Sequence, residues 1–207
     1  MKKILRLALS CLFLLLLWPF FLYKKYGNTD YKLRGRTIII SNHYSNFDAF
    51  FIYWMYGRRK RIRFVTIAET KKKLWSRFIT WLFDCLYIDS TTANVTFFKE
   101  CLRVLNDDGI ICIFPEGYVN HRKYGFLDFQ ASYVYLARKT HAAILPLYIY
   151  PRLSFFKKSL IYVGTPLETE DYSCFADRDD ASTYIQSQVM NYAAIIDQVL
   201  EEKQPGS

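Results

Sequence analysis

The segment Asn42-His43-Tyr44-Ser45-Asn46-Phe47-Asp48 sets a histidine just past an apolar run and an aspartate five residues further on. Phe114-Pro115-Glu116-Gly117 sets a glutamate and a glycine at the end of a second apolar run. A carboxylate that accepts the N–H of one imidazole nitrogen fixes the ring tautomer and leaves the other nitrogen free as a base. Such a pair can take the proton from a hydroxyl as that hydroxyl attacks an acyl carbon, the step that turns an alcohol into a useful nucleophile. The same residues also have a purely structural meaning. Asp48 can be a carboxylate favoured by a helix N-terminus, with His43 a turn residue satisfied by backbone. Pro115-Glu116-Gly117 can equally be a plain turn after a strand.

The elements around them must bring the pair together. Five residues along a straight helix are turned about 140° apart, so His43 has to precede the helix and fold back over its N-terminus. Ser45-x-x-Asp48 resembles a capping box opening a helix over 46–56, with Gly57 as its stop. The β-branched run Thr37-Ile38-Ile39-Ile40 predicts a buried strand over 36–41, and a second is expected over 110–114. Both motifs thus begin where a buried strand ends, the place where sites gather in open α/β sheets. Further strands are predicted over 62–67, 86–88, 143–150 and 160–163, and helices over 75–83 and 129–139. Val95, Phe98, Leu102 and Leu105 mark another helix closed by Asp107-Asp108-Gly109, and Ile185, Val189, Tyr192, Ile196 and Val199 stripe a terminal one. Strands alternating with helices predict an α/β fold: a mostly parallel sheet with helices on both faces.

The chain has 207 residues, the material of one ordinary domain, and no repeat or Gly/Ser/Pro-rich linker divides it. Residues 4–23 are apolar apart from Arg6 and Ser10, close to the ~20 needed to span a bilayer core. No small-x-small cleavage site follows the leucine run, so an uncleaved membrane helix over 1–26 is expected ahead of a domain over 27–207. Pro19 also allows the segment to bend and lie in one leaflet. Positive-inside counting puts the domain on the cytoplasmic face. The net charge of +9 asks for an anionic partner. Arg58-Arg59-Lys60-Arg61-x-Arg63 suits anionic lipid headgroups; no recognition helix or stacking motif accompanies it, so nucleic acid is not expected. Five cysteines without C-x-x-C spacing read as reduced thiols. The spacing of His43, His121, His141, Asp48 and Glu116 supports no metal site.

Taken together and in order, these segments resemble the 1-acylglycerol-3-phosphate acyltransferase family of glycerolipid acyltransferases over roughly residues 36–168. Asn42-His43 through Asp48 matches the family's N-H-x4-D motif, which implies His43 as catalytic base and Asp48 as its orienting partner. Phe114-Pro115-Glu116-Gly117 matches its F-P-E-G segment, which implies that Glu116 and Gly117 help bind the acyl acceptor, with Asn42 beside them. Ile144-Leu145-Pro146-Leu147 resembles its proline motif, implying acyl-chain contact at Pro146. Leu86-Tyr87-Ile88-Asp89 and Tyr162-Val163-Gly164-Thr165-Pro166 are similar to its middle motif and its late strand and turn.

The implied activity is transfer of a fatty acyl group from acyl-CoA or acyl-carrier-protein to a lysophospholipid hydroxyl at a membrane, with no further cofactor. Two positions depart from the pattern. Tyr118-Val119-Asn120 stands where the family has Thr-Arg-Ser, and Ser90 stands where the middle motif ends in arginine. Arginine forks onto phosphate oxygens with paired charge-assisted bonds that neither replacement can make. Either Arg122 and Lys123 supply that charge from a shifted loop, or the acceptor has no phosphomonoester. The residues also leave open a non-catalytic protein that binds anionic lipid.

Overall fold

The computed structural model describes residues 22–57, 62–68, 74–88, 95–121, 125–150 and 157–202, with Leu12 and Pro19 as isolated positions. Its strands are β1 (Tyr23–Gly27), β2 (Thr37–Ser41), β3 (Ile62–Ile67), β4 (Leu86–Ile88), β5 (Ile110–Ile113), β6 (Ala143–Tyr150) and β7 (Ser159–Val163). Its helices are α1 (Asp48–Ile52, running on into a π-helical turn over Tyr53–Gly57), α2 (Leu74–Leu82), α3 (Val95–Asn106), α4 (Ser132–Thr140), α5 (Thr169–Ser173) and α6 (Arg178–Glu201). The strands form one seven-stranded sheet in the order β1-β7-β6-β2-β5-β3-β4. Every neighbouring pair is parallel except β6 with β7.

Strand β2 sits in the middle and is buried at every position, as its run of β-branched residues requires. Its side chains alternate between two cores. Ile38 and Ile40 pack with Cys101 of α3, Tyr133 of α4 and Ile185 of α6. Ile39 packs on the opposite face with Phe51 and Ile52 of α1 and with Phe83 just past α2. The sheet is therefore covered on both faces by helices, as predicted, and its central loops are held at one height by two rigid layers.

Most elements lie where sequence periodicity put them, and the differences have local causes. Helix α1 opens at Asp48, two residues late, because the Asp48 N–H already bonds the Ser45 carbonyl at 3.0 Å in the preceding turn. Helix α3 buries Phe97, Cys101, Val104 and Leu105, while Val95 is 57 % exposed; of the expected stripe Leu105 is fully buried and Phe98 and Leu102 pack partly buried against the core, so the inward face is shifted toward Phe97 and Cys101. Helix α4 begins at Ser132 and not at 129, since the Gln130 N–H bonds the Pro115 carbonyl and keeps that stretch extended. Strand β1 had no apolar signal: Tyr23-Lys24-Lys25-Tyr26-Gly27 is recruited by its backbone ladder to β7. The sheet thus reaches back into the 1–26 stretch expected to be membrane anchor. The rest of that segment, apart from Leu12, Pro19 and Leu22, lies outside the described residues. Among those described, no helix is long and apolar enough to cross a membrane.

Candidate active site

Sheet register brings the two sequence motifs side by side. Ile40 of β2 pairs with Ile113 of β5 in parallel, and His43 and Glu116 each stand three residues beyond that pair. The Gly117 N–H donates to the Phe114 carbonyl at 3.0 Å, closing a four-residue turn with Pro115 in its second position. Gly117 has φ +75°, and a Cβ on it would lie 2.9 Å from Gln130 Nε2, so the turn needs glycine. In this turn the Glu116 side chain points back at the β2 loop.

His43 is gripped from every side but one. Its backbone N–H donates to Glu116 Oε1 at 2.9 Å, and its carbonyl accepts the Asn120 N–H at 2.6 Å. The ring stacks on Phe114 with centroids 4.1 Å apart and planes inclined by 14°. Its Nδ1 lies 3.1 Å from Asp48 Oδ2. With Nδ1 occupied, Nε2 is the nitrogen left for chemistry, and His43 lines a cavity of about 700 Å³.

Asp48 resolves the two meanings its position carried. Oδ2 accepts both from His43 and from the Ser45 N–H, the latter at 2.8 Å. The carboxylate thus holds the turn before α1 and contacts the histidine ring at once. The expected capping box does not form: the N-cap is Phe47, with no side-chain cap bond, and Ser45 Oγ takes the Phe47 N–H at 3.2 Å. Asp48 is fully buried, and Oδ1 has no hydrogen-bond partner among the described residues. Burial pushes its carboxyl above the ordinary range, while the His43 ring and the Ser45 amide pull it down. Such a group sits beside imidazole with little water to compete for the shared proton.

Glu116 is 3 % exposed. Beside the His43 amide it accepts the Leu127 N–H on Oε2 at 3.0 Å. Burial raises its carboxyl too, against the pull of those two amides. Asn42 is wholly buried and engaged elsewhere: Nδ2 donates to the Ile149 carbonyl at 2.9 Å, and Oδ1 accepts the Ile149 N–H at 2.8 Å. Its amide thereby carries the β2–β6 pairing one step past the strand end. Pro146 pairs with Ile40 inside the sheet, on the side of β2 away from β5, and is not part of the cavity wall. Of the residues expected at the site, the fold therefore gathers His43, Asp48, Glu116 and Gly117. Asn42 adjoins them without facing the cavity, and Pro146 stands apart. Arg122 and Lys123 lie outside the described residues, as do Arg58, Arg59, Lys60, Arg61, Asp89 and Ser90. Arg63, the last of the basic run, is described, and its Nε donates to the Asp84 carbonyl at 3.0 Å.

The cavity lining is mixed. Val65, Ile67, Ile88, Phe97 and Ile113 contribute apolar side chains from β3, β4, α3 and β5. Asn46, Thr66, His121, Gln130 and Ser132 contribute polar groups. No sequence motif marks Gln130, Ser132 or Phe97, and Asn120 stood only as a departure from a family pattern. The usable signal was topological: loops after adjacent parallel strands share one crevice. Among the described residues no group of three or more His, Cys, Asp or Glu side chains is placed to hold a metal ion. The arrangement can hold an apolar chain beside a hydroxyl and accept that hydroxyl's proton at Nε2.

Comparison with known proteins bears on the same segments. The family model Acyltransferase matches residues 23–150. The 1-acyl-sn-glycerol-3-phosphate acyltransferase of Limnanthes douglasii is 32 % identical over 120 residues, covering 55 % of this chain and 41 % of that protein. Its counterpart from Limnanthes alba is 31 % identical over the same length and shares. The match thus spans about two fifths of each relative. The crystal structure of the 1-acyl-sn-glycerophosphate (LPA) acyltransferase PlsC from Thermotoga maritima superposes with a TM-score of 0.67 at 20 % identity, over 92 % of this chain and 76 % of that one. At that identity the likeness is one of fold.

Proposed function

The chain belongs to the Acyltransferase family, the glycerolipid acyltransferases, and on that premise we propose that it moves a fatty acyl group from a thioester donor to a lysophospholipid hydroxyl. The observation that carries this is the His43 Nδ1 to Asp48 Oδ2 contact of 3.1 Å at a cavity whose lining includes both apolar and polar side chains. The acceptor hydroxyl gives its proton to His43 Nε2 as its oxygen attacks the thioester carbonyl carbon. The tetrahedral species then collapses, the C–S bond breaks, and the proton on Nε2 passes to the leaving thiolate. The products are the acylated acceptor and the free thiol of coenzyme A or acyl-carrier-protein, and His43 ends as it began. Asp48 holds the ring with Nδ1–H inward and stabilises the imidazolium formed midway. The apolar lining residues take the acyl chain and the polar ones the acceptor, with the basic run holding the protein against anionic lipid.

A second form of this reading concerns the acceptor. None of the described residues lining the cavity is lysine or arginine, and Val119 occupies the family's arginine position. The replacement of that arginine by valine supports an acceptor lacking a phosphomonoester. Both forms are tested by offering detergent-purified protein oleoyl-CoA or oleoyl-carrier-protein with a panel of acceptors: lysophosphatidate, zwitterionic lysophospholipids, lysophosphatidylglycerol and monoacylglycerol. Diacyl product with at least one acceptor is expected. No product from any pair rejects the reaction, and preference for lysophosphatidate over all others rejects the second form.

A further inference from the structure

The family resemblance gives Glu116 and Gly117 to the acyl acceptor, yet of the two only Gly117 lines the cavity. Glu116 is sealed beneath it. Its oxygens are taken by backbone amides from two different segments: Oε1 by His43, in the turn after β2, and Oε2 by Leu127, in the extended stretch leading into α4. The glutamate itself stands on the turn after β5. One side chain therefore joins three segments that no strand ladder connects at this height. The first carries the histidine and the third carries Gln130 and Ser132 of the cavity lining.

Residue type fits this task closely. The two amides meet different oxygens of the side chain, so both ends must accept; an ionised carboxylate does this, whereas a carboxamide would present its NH2 to one of them. A neighbouring contact works in the same direction: the Asn120 N–H closes on the His43 carbonyl at 2.6 Å. Both backbone polar groups of His43 are thus fixed by the segment 116–120, while its ring stacks on Phe114 and meets Asp48 through Nδ1. Glu116 is 3 % exposed, which leaves almost no surface on which a substrate hydroxyl could reach it.

We propose that Glu116 is a positioning residue that clamps the His43 backbone and ties the segment carrying Gln130 and Ser132 to it, without touching the acyl acceptor. Its kinetic consequences rest on the acyltransfer reading, whereas its effect on the histidine ring does not. Glu116→Gln keeps the size but puts an NH2 donor against one of the two amide donors. Glu116→Asp keeps the charge but, one methylene shorter, reaches only one of them.

The test follows the His43 ring nitrogens and the Nδ1 proton by NMR in ligand-free, histidine-labelled protein. Steady-state rates with oleoyl-CoA and lysophosphatidate, or the panel's best acceptor, are measured alongside. In ligand-free Glu116→Gln the Nδ1 proton signal is expected to move or broaden. Its kcat should fall on the order of 100-fold, the scale for misplacing a reacting group by about 1 Å, with the acceptor KM near that of wild type. Glu116→Asp should not restore kcat, and it stands in for the glutamine variant should that one not fold. Unchanged ring signals in a folded variant overturn the clamp, and a raised acceptor KM at wild-type kcat would assign Glu116 to the acceptor after all. Should wild type itself acylate nothing, the acyltransfer reading fails while the ring signals still decide the clamp.

Discussion

Asp48→Asn changes the site by one atom type and removes its charge. In the wild type Oδ2 receives both the His43 Nδ1–H and the Ser45 N–H, at 3.1 and 2.8 Å. Asparagine can keep both bonds only by placing its single oxygen there. Its NH2 then falls where Oδ1 was, a buried spot without a partner among the described residues. Flipping the amide puts NH2 against the Ser45 N–H and drives the histidine into the tautomer with Nε2–H, which is no base.

In the first pose the imidazolium of the transition state loses a charged partner. A hydrogen bond to a charged group contributes about 1.5–3 kcal/mol against about 1 for a neutral one, so the loss is up to about 2 kcal/mol, or roughly 30-fold in rate. In the second pose the tautomer is wrong, a defect that costs about 10⁴ in kcat in the Ser-His-Asp template. The predicted fall in kcat therefore lies between roughly tenfold and 10⁴-fold, with acceptor KM little changed. Stability should move far less, since removing a carboxylate that burial disfavours offsets part of the lost bonding. Initial rates of diacyl-lipid formation, with thermal unfolding of the same preparations, measure both. A folded Asp48→Asn protein with the kcat of wild type refutes the orienting role.

Two further outcomes follow from the same geometry. Asn42→Ala should destabilise by about 2–4 kcal/mol in chemical denaturation, because it strands the buried N–H and carbonyl of Ile149; a loss below about 1 kcal/mol would mean the strand extension contributes little. Asp48 and Glu116 both bind protons more tightly folded than unfolded, since burial raises each carboxyl. Unfolding therefore releases protons between the ordinary carboxylate range and the raised values. Each group's contribution to stability falls as pH rises through that window. The stability difference between wild type and Asp48→Asn, followed against pH by denaturant midpoints, should shift against wild type as pH rises there; a shift in its favour would reverse the assigned cause.

Much of this was legible in residue order because the informative residues are short-range. Four β-branched residues before His43 and an apolar run before Pro115 mark the two strands. Parallel pairing of those strands then sets the motifs at one height. What sequence could not separate were alternatives with the same local pattern. Asp48 reads as a cap or as an orienting carboxylate at identical spacing, and the fold sets its carboxylate against both the Ser45 N–H and the His43 ring. Val95, Phe98, Leu102 and Leu105 recur at helical spacing as Phe97, Cys101 and Val104 do, and only the sheet's position sets Val95 outside, Phe98 and Leu102 at the edge and the others within the core. Strand β1 is polar and owes its place to backbone bonds with β7, which leave no side-chain pattern. Asn42 and Pro146 belong to recognisable motifs, but a motif does not say whether a side chain faces substrate or sheet. Glu116 was visible as a letter in F-P-E-G, while its two amide partners, 73 and 11 residues away, were not.

The central claim is that His43 removes the acceptor's proton in a direct transfer, and His43→Ala tests it most directly. The measurement is kcat for diacyl-lipid formation with the acceptor that wild type acylates best, on protein shown by circular dichroism to be folded. Loss of a positioned general base costs about 10²–10⁴-fold, and a fall within or beyond that range is predicted, with no release of free thiol from oleoyl-CoA before acceptor is added. A folded His43→Ala protein that turns over at the wild-type rate would contradict the account.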